Sequence, residues 1–266
     1  MRKMTLQLFC AAAAMTLAMP AFSADAIEGD RFSISLGMFF TDRDTETQLD
    51  GTTTGGTPTD LEDDLGLDSS DNVFRVDGYF RFTDKHRVDF SVFDLSRSSS
   101  KQIDRDIQWG DSLYSINTVV NSDFDLTIYK AAYTYAFMRR ENGYLGATVG
   151  LYTADTKVGL SEQTLGQTEV GDITAPLPVI GLRGEYEFAD RWSFRASGEF
   201  FFIEFDDIEG SLVDVYAGVD YALRDSVSVG LGVNSVNLDV DASQSSFQGS
   251  LDWRYTGGLL FLKFDF

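Results

Sequence analysis

From residue 32 onward the chain is written in period two. Phe32, Ile34, Leu36, Met38 and Phe40 put an apolar side chain at every second position, with Ser33, Ser35, Gly37 and Phe39 between them. The same alternation returns over 74–82, 88–92, 129–137, 145–151, 180–188, 194–202, 213–221, 227–233 and 260–266. Strand side chains point alternately to opposite faces, so each segment carries one apolar and one polar face. The pattern predicts an all-β chain of ten strands.

A soluble sandwich would alternate in the same way, and three features favour a membrane barrel instead. Aromatic residues gather beside short turns. Tyr79, Phe80 and Phe82 precede 83–86; Tyr133, Tyr135 and Phe137 precede 139–143; Tyr186, Phe188 and Trp192 flank 189–191; Tyr221 precedes 224–226. Such rings are best satisfied at headgroup depth, as an interfacial girdle. The short turns also interleave with long segments near 42–72, 96–123, 153–176 and 237–252, and a shorter one at 206–210, as in barrels with short periplasmic turns and long external loops. Finally, Pro58, Pro176 and Pro178 lie in or at the edge of the long segments, where a closed sheet loses no ladder donors. The expected architecture is an antiparallel transmembrane β-barrel of about ten strands, with 8 or 12 as alternatives. Both termini are then periplasmic.

The N-terminus changes the picture of where the chain goes. Arg2 and Lys3 precede an apolar run from Leu6 to Met19, Pro20 breaks it, and Ala21-Phe22-Ser23 offers small residues for cleavage. This reads as a secretory signal peptide over 1–23, leaving a barrel domain over 24–266. The one cysteine, Cys10, belongs to the leader, so the mature chain has no disulfide to hold it. Losing Arg2 and Lys3 leaves 19 of the 21 basic residues against 42 acidic ones, a net charge of −23. A nucleic-acid binder needs a basic face, and none is present.

The last strand resembles something known. Phe266, with Phe264, Leu262 and Leu260 in step behind it, looks like the C-terminal signature of bacterial outer-membrane barrels. That resemblance implies recognition by the barrel-assembly machinery. Thr59-Asp60-Leu61-Glu62-Asp63-Asp64-Leu65-Gly66-Leu67-Asp68 is similar to a segment recurring in small proteobacterial outer-membrane barrel proteins, most without an assigned function. The implied location is the outer membrane of a Gram-negative bacterium, with lipid and lipopolysaccharide as surroundings.

Ten strands enclose a narrow lumen, since about eight are already filled by side chains. The polar phase of the strands places Arg75, Asp77, Arg81, Asp89, Lys130, Arg183, Glu185, Arg195, Glu199, Asp214, Asp220 and Lys263 inside. Charges away from water must be paired, so the expectation is a largely plugged lumen in a structural or surface-binding protein. The alternative is a narrow porin-like channel for small polar or cationic solutes. Residues 42–72 hold ten acids and one base, which makes solvated, mutually repelling loops the simple reading. Asp60-Glu62-Asp64 and Asn237-Asp239-Asp241 space their oxygens as a divalent-cation loop would, without the glycine and glutamate of an EF-hand.

Enzyme motifs fare worse. Gly110-Asp111-Ser112-Leu113 spells the nucleophile block of the GDSL esterases, but no histidine follows to activate the serine. The one histidine, His86, falls in the first short turn, at the wrong end for an outer-leaflet or external active site. A lipid-modifying enzyme is the outsider. No catalytic residue, metal ligand set or cofactor is expected.

Overall fold

The computed structural model describes residues 30–266 apart from 163–167, 206–207 and 245–246, so the leader assigned to 1–23 lies outside the described residues. Thirteen strands follow in order: β1 (Phe32–Leu49), β2 (Thr59–Asp60), β3 (Ser70–Thr83), β4 (His86–Gln102), β5 (Ile107–Trp109), β6 (Ser112–Tyr114), β7 (Val119–Arg140), β8 (Gly143–Glu162), β9 (Thr168–Ala189), β10 (Trp192–Phe205), β11 (Ile208–Arg224), β12 (Val227–Gln244) and β13 (Phe247–Asp265). Ten of them make the wall in the order β1-β3-β4-β7-β8-β9-β10-β11-β12-β13, every pair antiparallel. β13 then pairs with β1 from Ser33↔Asp265 to Leu49↔Gly249 and closes the sheet on itself. Closure removes the free edges that an open sheet would present. The protein is an all-β, closed ten-stranded antiparallel barrel.

The outward face shows why it closes. Leu36, Met38, Phe40, Phe74, Tyr129, Val149, Leu182, Phe194, Val215, Leu231 and Leu262 are exposed large apolar side chains on successive strands. Moving toward the long hairpins, this surface turns polar within one outward step on most strands. Phe40 gives way to Asp42, Phe74 to Asn72, Val92 to Asp94, Tyr129 to Thr127, Leu151 to Thr153, Val213 to Ser211 and Val233 to Ser235. A belt with so sharp an upper border is what hydrocarbon covers and water does not. At the other end the aromatic girdle is made of Phe80, Phe82, Tyr135, Phe137, Tyr186, Phe188, Trp192 and Phe266. Phe266, Phe264, Leu262 and Leu260 of the C-terminal signature belong to this outward face.

The strands do not stop at the belt, contrary to the reading of 42–72, 96–123, 153–176 and 237–252 as loops. β1 continues to Leu49, β4 to Gln102 and β8 to Glu162. The period survives above the membrane but its polarity inverts. In β7, Asp123 and Asp125 face out while Phe124, Leu126 and Ile128 are buried. A search for apolar residues on one phase misses this, because water now wets the outer face.

Pro176 and Pro178 likewise stand inside β9, paired with Thr153 and Leu151 of β8. The ladder to β8 runs through them, and the ladder from β9 to β10 ends short of them at Ile180↔Phe200.

The acidic segment after β1 is not a solvated loop either. Residues 60–66 make one helical turn. The Asp60 carboxylate accepts the Glu62 and Asp63 N–H groups at 2.9 and 2.6 Å, as an N-cap does. Gly66, at φ 71°, ends the turn with Gly66 N–H to Glu62 O at 3.0 Å and Leu67 N–H to Leu61 O at 2.9 Å. Glycine holds that φ without strain. The turn aims Leu61, Leu65 and Leu67 into the barrel, where all three are buried. Ile103, Ile107, Trp109 and Tyr114, from the connection between β4 and β7, meet them there.

Candidate functional site

The lumen falls into two layers. At the half nearer the short turns, seven bases (Arg75, Arg81, Arg87, Lys130, Arg183, Arg195, Lys263) share the inward phase with seven acids (Asp77, Asp89, Glu185, Glu199, Asp214, Asp220, Asp265). Most of their contacts form one mesh, with Arg195–Asp220 and Lys263–Asp265 as separate pairs beside it. Arg75 binds Asp77 at 2.9 Å and donates to Asn234 Oδ1. Asn234 Nδ2 donates to Asp214 at 2.6 Å, and Tyr255 donates to Asn234 Oδ1 at 3.2 Å. Lys130 lies between Glu199 and Asp214, 3.4 Å from the latter. The Tyr152 hydroxyl sits between the same two carboxylates, 3.0 Å from Glu199 Oε2. Arg183 reaches Glu199 at 3.2 Å and Asp89 at 3.6 Å. Asp89 also takes Arg87 at 2.7 Å and the Thr134 hydroxyl at 2.7 Å. Glu185 lies 4.0 Å from Arg87, Arg195 pairs with Asp220 at 2.8 Å, and Lys263 with Asp265 at 3.0 Å.

Arginines also stack on rings, Arg87 over Tyr79 at 4.5 Å and Tyr144 at 4.9 Å, Arg81 over Tyr79 at 5.4 Å. Between these groups is a cavity of about 80 Å³, room for several waters.

Arg87 and Asp265 joined this mesh without being singled out in the sequence, although each shares the inward phase of a residue that was, Asp89 and Lys263. Tyr152, Tyr255 and Asn234 carried no such signal. Tyr152 stands beside Lys130 on the next strand and Asn234 on the strand next to Asp214, and the closed ring adds their distant partners, Asp214 for Tyr152 and Arg75 for Asn234.

The half nearer the long hairpins is apolar, which the expectation of a charged lumen throughout did not contain. Phe39, Phe93, Leu95, Phe124, Leu126, Ile128, Leu160, Leu212, Leu238 and Trp253 line the wall there, and the inserted leucines fill it. An ion pair crosses this core. Arg97, nearly fully buried, binds Glu62 and donates to Thr45 Oγ1 at 3.0 Å and Asp68 O at 3.2 Å. Glu62 in turn accepts the Thr45 N–H at 2.9 Å.

The candidate cation ligands are occupied by these contacts or stand apart. Asp60 caps the turn, Glu62 holds Arg97, and Asp64 accepts Arg105 and the Asp60 N–H. Asn237, Asp239 and Asp241 face outward along β12, where Asp239 stands opposite Asp252. Among the described residues no three His, Cys, Asp or Glu side chains converge as a metal ion requires.

Partial burial, then Asp241 and Asp252, hold the Asp239 carboxyl above its ordinary range. A carboxyl raised in the folded state stabilises the fold only while protonated, so its contribution is lost as pH rises. Asp239→Asn is therefore expected to raise the melting midpoint in detergent at pH 7 and to leave it unchanged at pH 3, as followed by circular dichroism.

The esterase-like tetrapeptide forms the tight turn between β5 and β6. Gly110 takes φ 59° there, and the Ser112 hydroxyl donates to Glu169 at 3.0 Å. His86 is at the opposite end, among the girdle rings, hydrogen-bonded to Tyr133 and 5.2 Å from the Tyr135 ring.

The chain matches no protein-family model and no curated protein sequence. Among solved structures it is similar to the outer membrane protease OmpT of Escherichia coli, with a TM-score of 0.57 and 9% identity over 92% of this chain and 100% of that one. It also aligns with Ail, the attachment invasion locus protein of Yersinia pestis, at 11% identity, covering 87% of this chain and 99% of that one with a TM-score of 0.37. Neisserial surface protein A aligns at 10% identity over 90% of this chain and 99% of that one, with a TM-score of 0.35. At such identities the likeness to OmpT is one of fold.

Proposed function

We propose that this chain is a non-enzymatic outer-membrane protein whose barrel is a sealed support for its external hairpins, with a structural or surface-binding role. The observation that carries the reading is the double closure of the lumen. A charge-balanced mesh fills one half, and an apolar core built from inserted segments fills the other. In this reading the signal peptide directs export, the C-terminal phenylalanine strand is what the assembly machinery recognises, and lipid and lipopolysaccharide cover the apolar belt. Divalent cations, where they bind, do so between the outward acids and lipopolysaccharide phosphates. His86 supports the absence of catalysis, because it is held in the lipid-facing girdle far from the external end. Expression is accordingly expected to leave the mass of lipid A unchanged.

Planar-bilayer recording tests the seal. The wild-type protein is expected to give no conductance steps. The double variant Arg75→Ala, Arg183→Ala is expected to lose stability while staying closed, because the apolar layer above is untouched. Steady ohmic conductance by the wild type would establish the second reading, a narrow channel through the cavity between the charged groups.

A further inference from the structure

Two pairs of neighbouring barrel strands part within reach of the membrane: β3 and β4 above Arg75↔Phe93, where the inserted segment lies against β4 through Arg97 to Asp68 O and Lys101 to Asp63 O, and β9 and β10. β9 runs from Thr168 and β10 reaches Phe205, yet their ladder stops at Ile180↔Phe200. Above that pair β9 is held only by β8, through Ser161↔Thr168, and β10 only by β11, through Phe205↔Ile208. Neighbouring ladders show no such interruption at this level; β11 and β12 stay paired from Arg224 to Ile208. The sequence supplies the cause. Pro176 and Pro178 are two residues apart, so they remove donors from the same side of β9. The β8 side remains laddered straight through them. The side that goes unpaired is the one toward β10.

The height of this cleft gives it meaning. Ile180, Phe200 and Phe202 are exposed members of the apolar belt, Phe202 at 69% the most exposed of the protein's large apolar side chains described. The cleft therefore begins in the top of the hydrocarbon-facing surface and rises past its border. Deeper in the hydrocarbon, a lost ladder would strand backbone groups without partners; at the border, headgroups and water supply them. Behind the parted strands lie Val179 and Leu177, both buried, and half-buried Phe201, which packs on the apolar upper core.

We propose that an acyl chain of an outer-leaflet lipid lies in the cleft between β9 and β10, continuous with the lipid annulus and seated against the apolar upper core. The rival occupant, an added strand from a second copy, is disfavoured by the same prolines, which deny β9 the donors that strand addition needs. The proposal rests on the outer-membrane reading above and goes beyond it by assigning a lipid site to one seam of the wall.

The test uses cysteine-labelled barrels from residue 24 onward, a chain that carries no native cysteine. Phe201→Cys, Leu231→Cys and Val236→Cys are each labelled with bimane and folded into phosphatidylcholine vesicles with or without brominated acyl chains. Leu231 faces lipid in the belt, and Val236 faces the interior on β12. Bromine is expected to quench the label at 201 at least half as strongly as at 231, and to leave the label at 236 bright. Adding Pro176→Thr and Pro178→Thr restores the donors and lets the ladder extend, so quenching at 201 is expected to fall at least twofold. Protection at 201 equal to that at 236 overturns the proposal, as does quenching unaffected by the proline changes or a dimer that buries the seam. Absence of quenching at 231 would instead sink the membrane reading itself. Where the bulky label prevents folding, Phe201→Trp with Trp192→Phe reads the same contact through tryptophan quenching.

Discussion

Glu199→Leu lowers the unfolding free energy by about 3 kcal/mol, the low end of what breaking a buried ion pair costs. The residue is almost wholly buried and touches Lys130, Arg183 and Tyr152 at once. Removing its charge leaves the mesh with one uncompensated positive charge away from bulk water. The loss stays at the low end because Lys130 keeps Asp214 and Arg183 keeps Asp89. The measurement is urea unfolding in vesicles, read by the mobility difference between folded and heat-denatured barrel on a gel. Lys130→Met in the Glu199→Leu background is expected to recover about 1 kcal/mol or more, since residues in one network are not additive. Equal and additive losses for the two substitutions would mean that the lumen is wetter than its burial indicates.

Leu61→Asp with Leu65→Asp releases the inserted turn. Both leucines are completely buried, and even truncation to alanine at such sites costs about 2–5 kcal/mol each. Two carboxylates cannot be accommodated in that core, so residues 51–69 are expected to leave the barrel rather than the barrel to unfold, a local opening. Limited proteolysis of protein in vesicles should then cut within this segment in the variant and not in the wild type. Conductance should stay absent, because the charged layer still closes the lumen. Combining this lesion with Arg75→Ala and Arg183→Ala should produce channel activity that neither lesion gives alone. Conductance from the leucine variant by itself would show that the charged mesh is permeable. Together these outcomes distinguish a two-layer seal from a pore with a movable cover.

Much of this barrel was legible in advance, for a local reason. The strand pleat fixes side-chain direction every two residues whatever lies across the sheet, so ten apolar phases and the short turns between them follow from the chain alone. The same rule put Arg75, Lys130, Arg183, Glu199 and Asp214 on the inward phase. It could not say which of them meet. Arg75 and Asn234 are 159 residues apart, and Lys130 and Asp214 are 84 apart. Those partnerships depend on the register at which β13 closes on β1.

The outer half depended still more on the tertiary structure. Above the belt the outer medium changes from hydrocarbon to water, and the phase that must be apolar moves from outside to inside. Asp60-Leu61-Glu62-Asp63-Asp64-Leu65-Gly66-Leu67 looks acidic and soluble as a string. Only when the turn is capped by Asp60 and ended by Gly66 do its leucines fall on one side and its acids on the other. The sequence by itself determined the faces of the wall strands and the short turns that join them, because these are set by short-range geometry. The closed ring alone decided that the lumen is filled twice over, because that depends on which distant strands become neighbours and at what height.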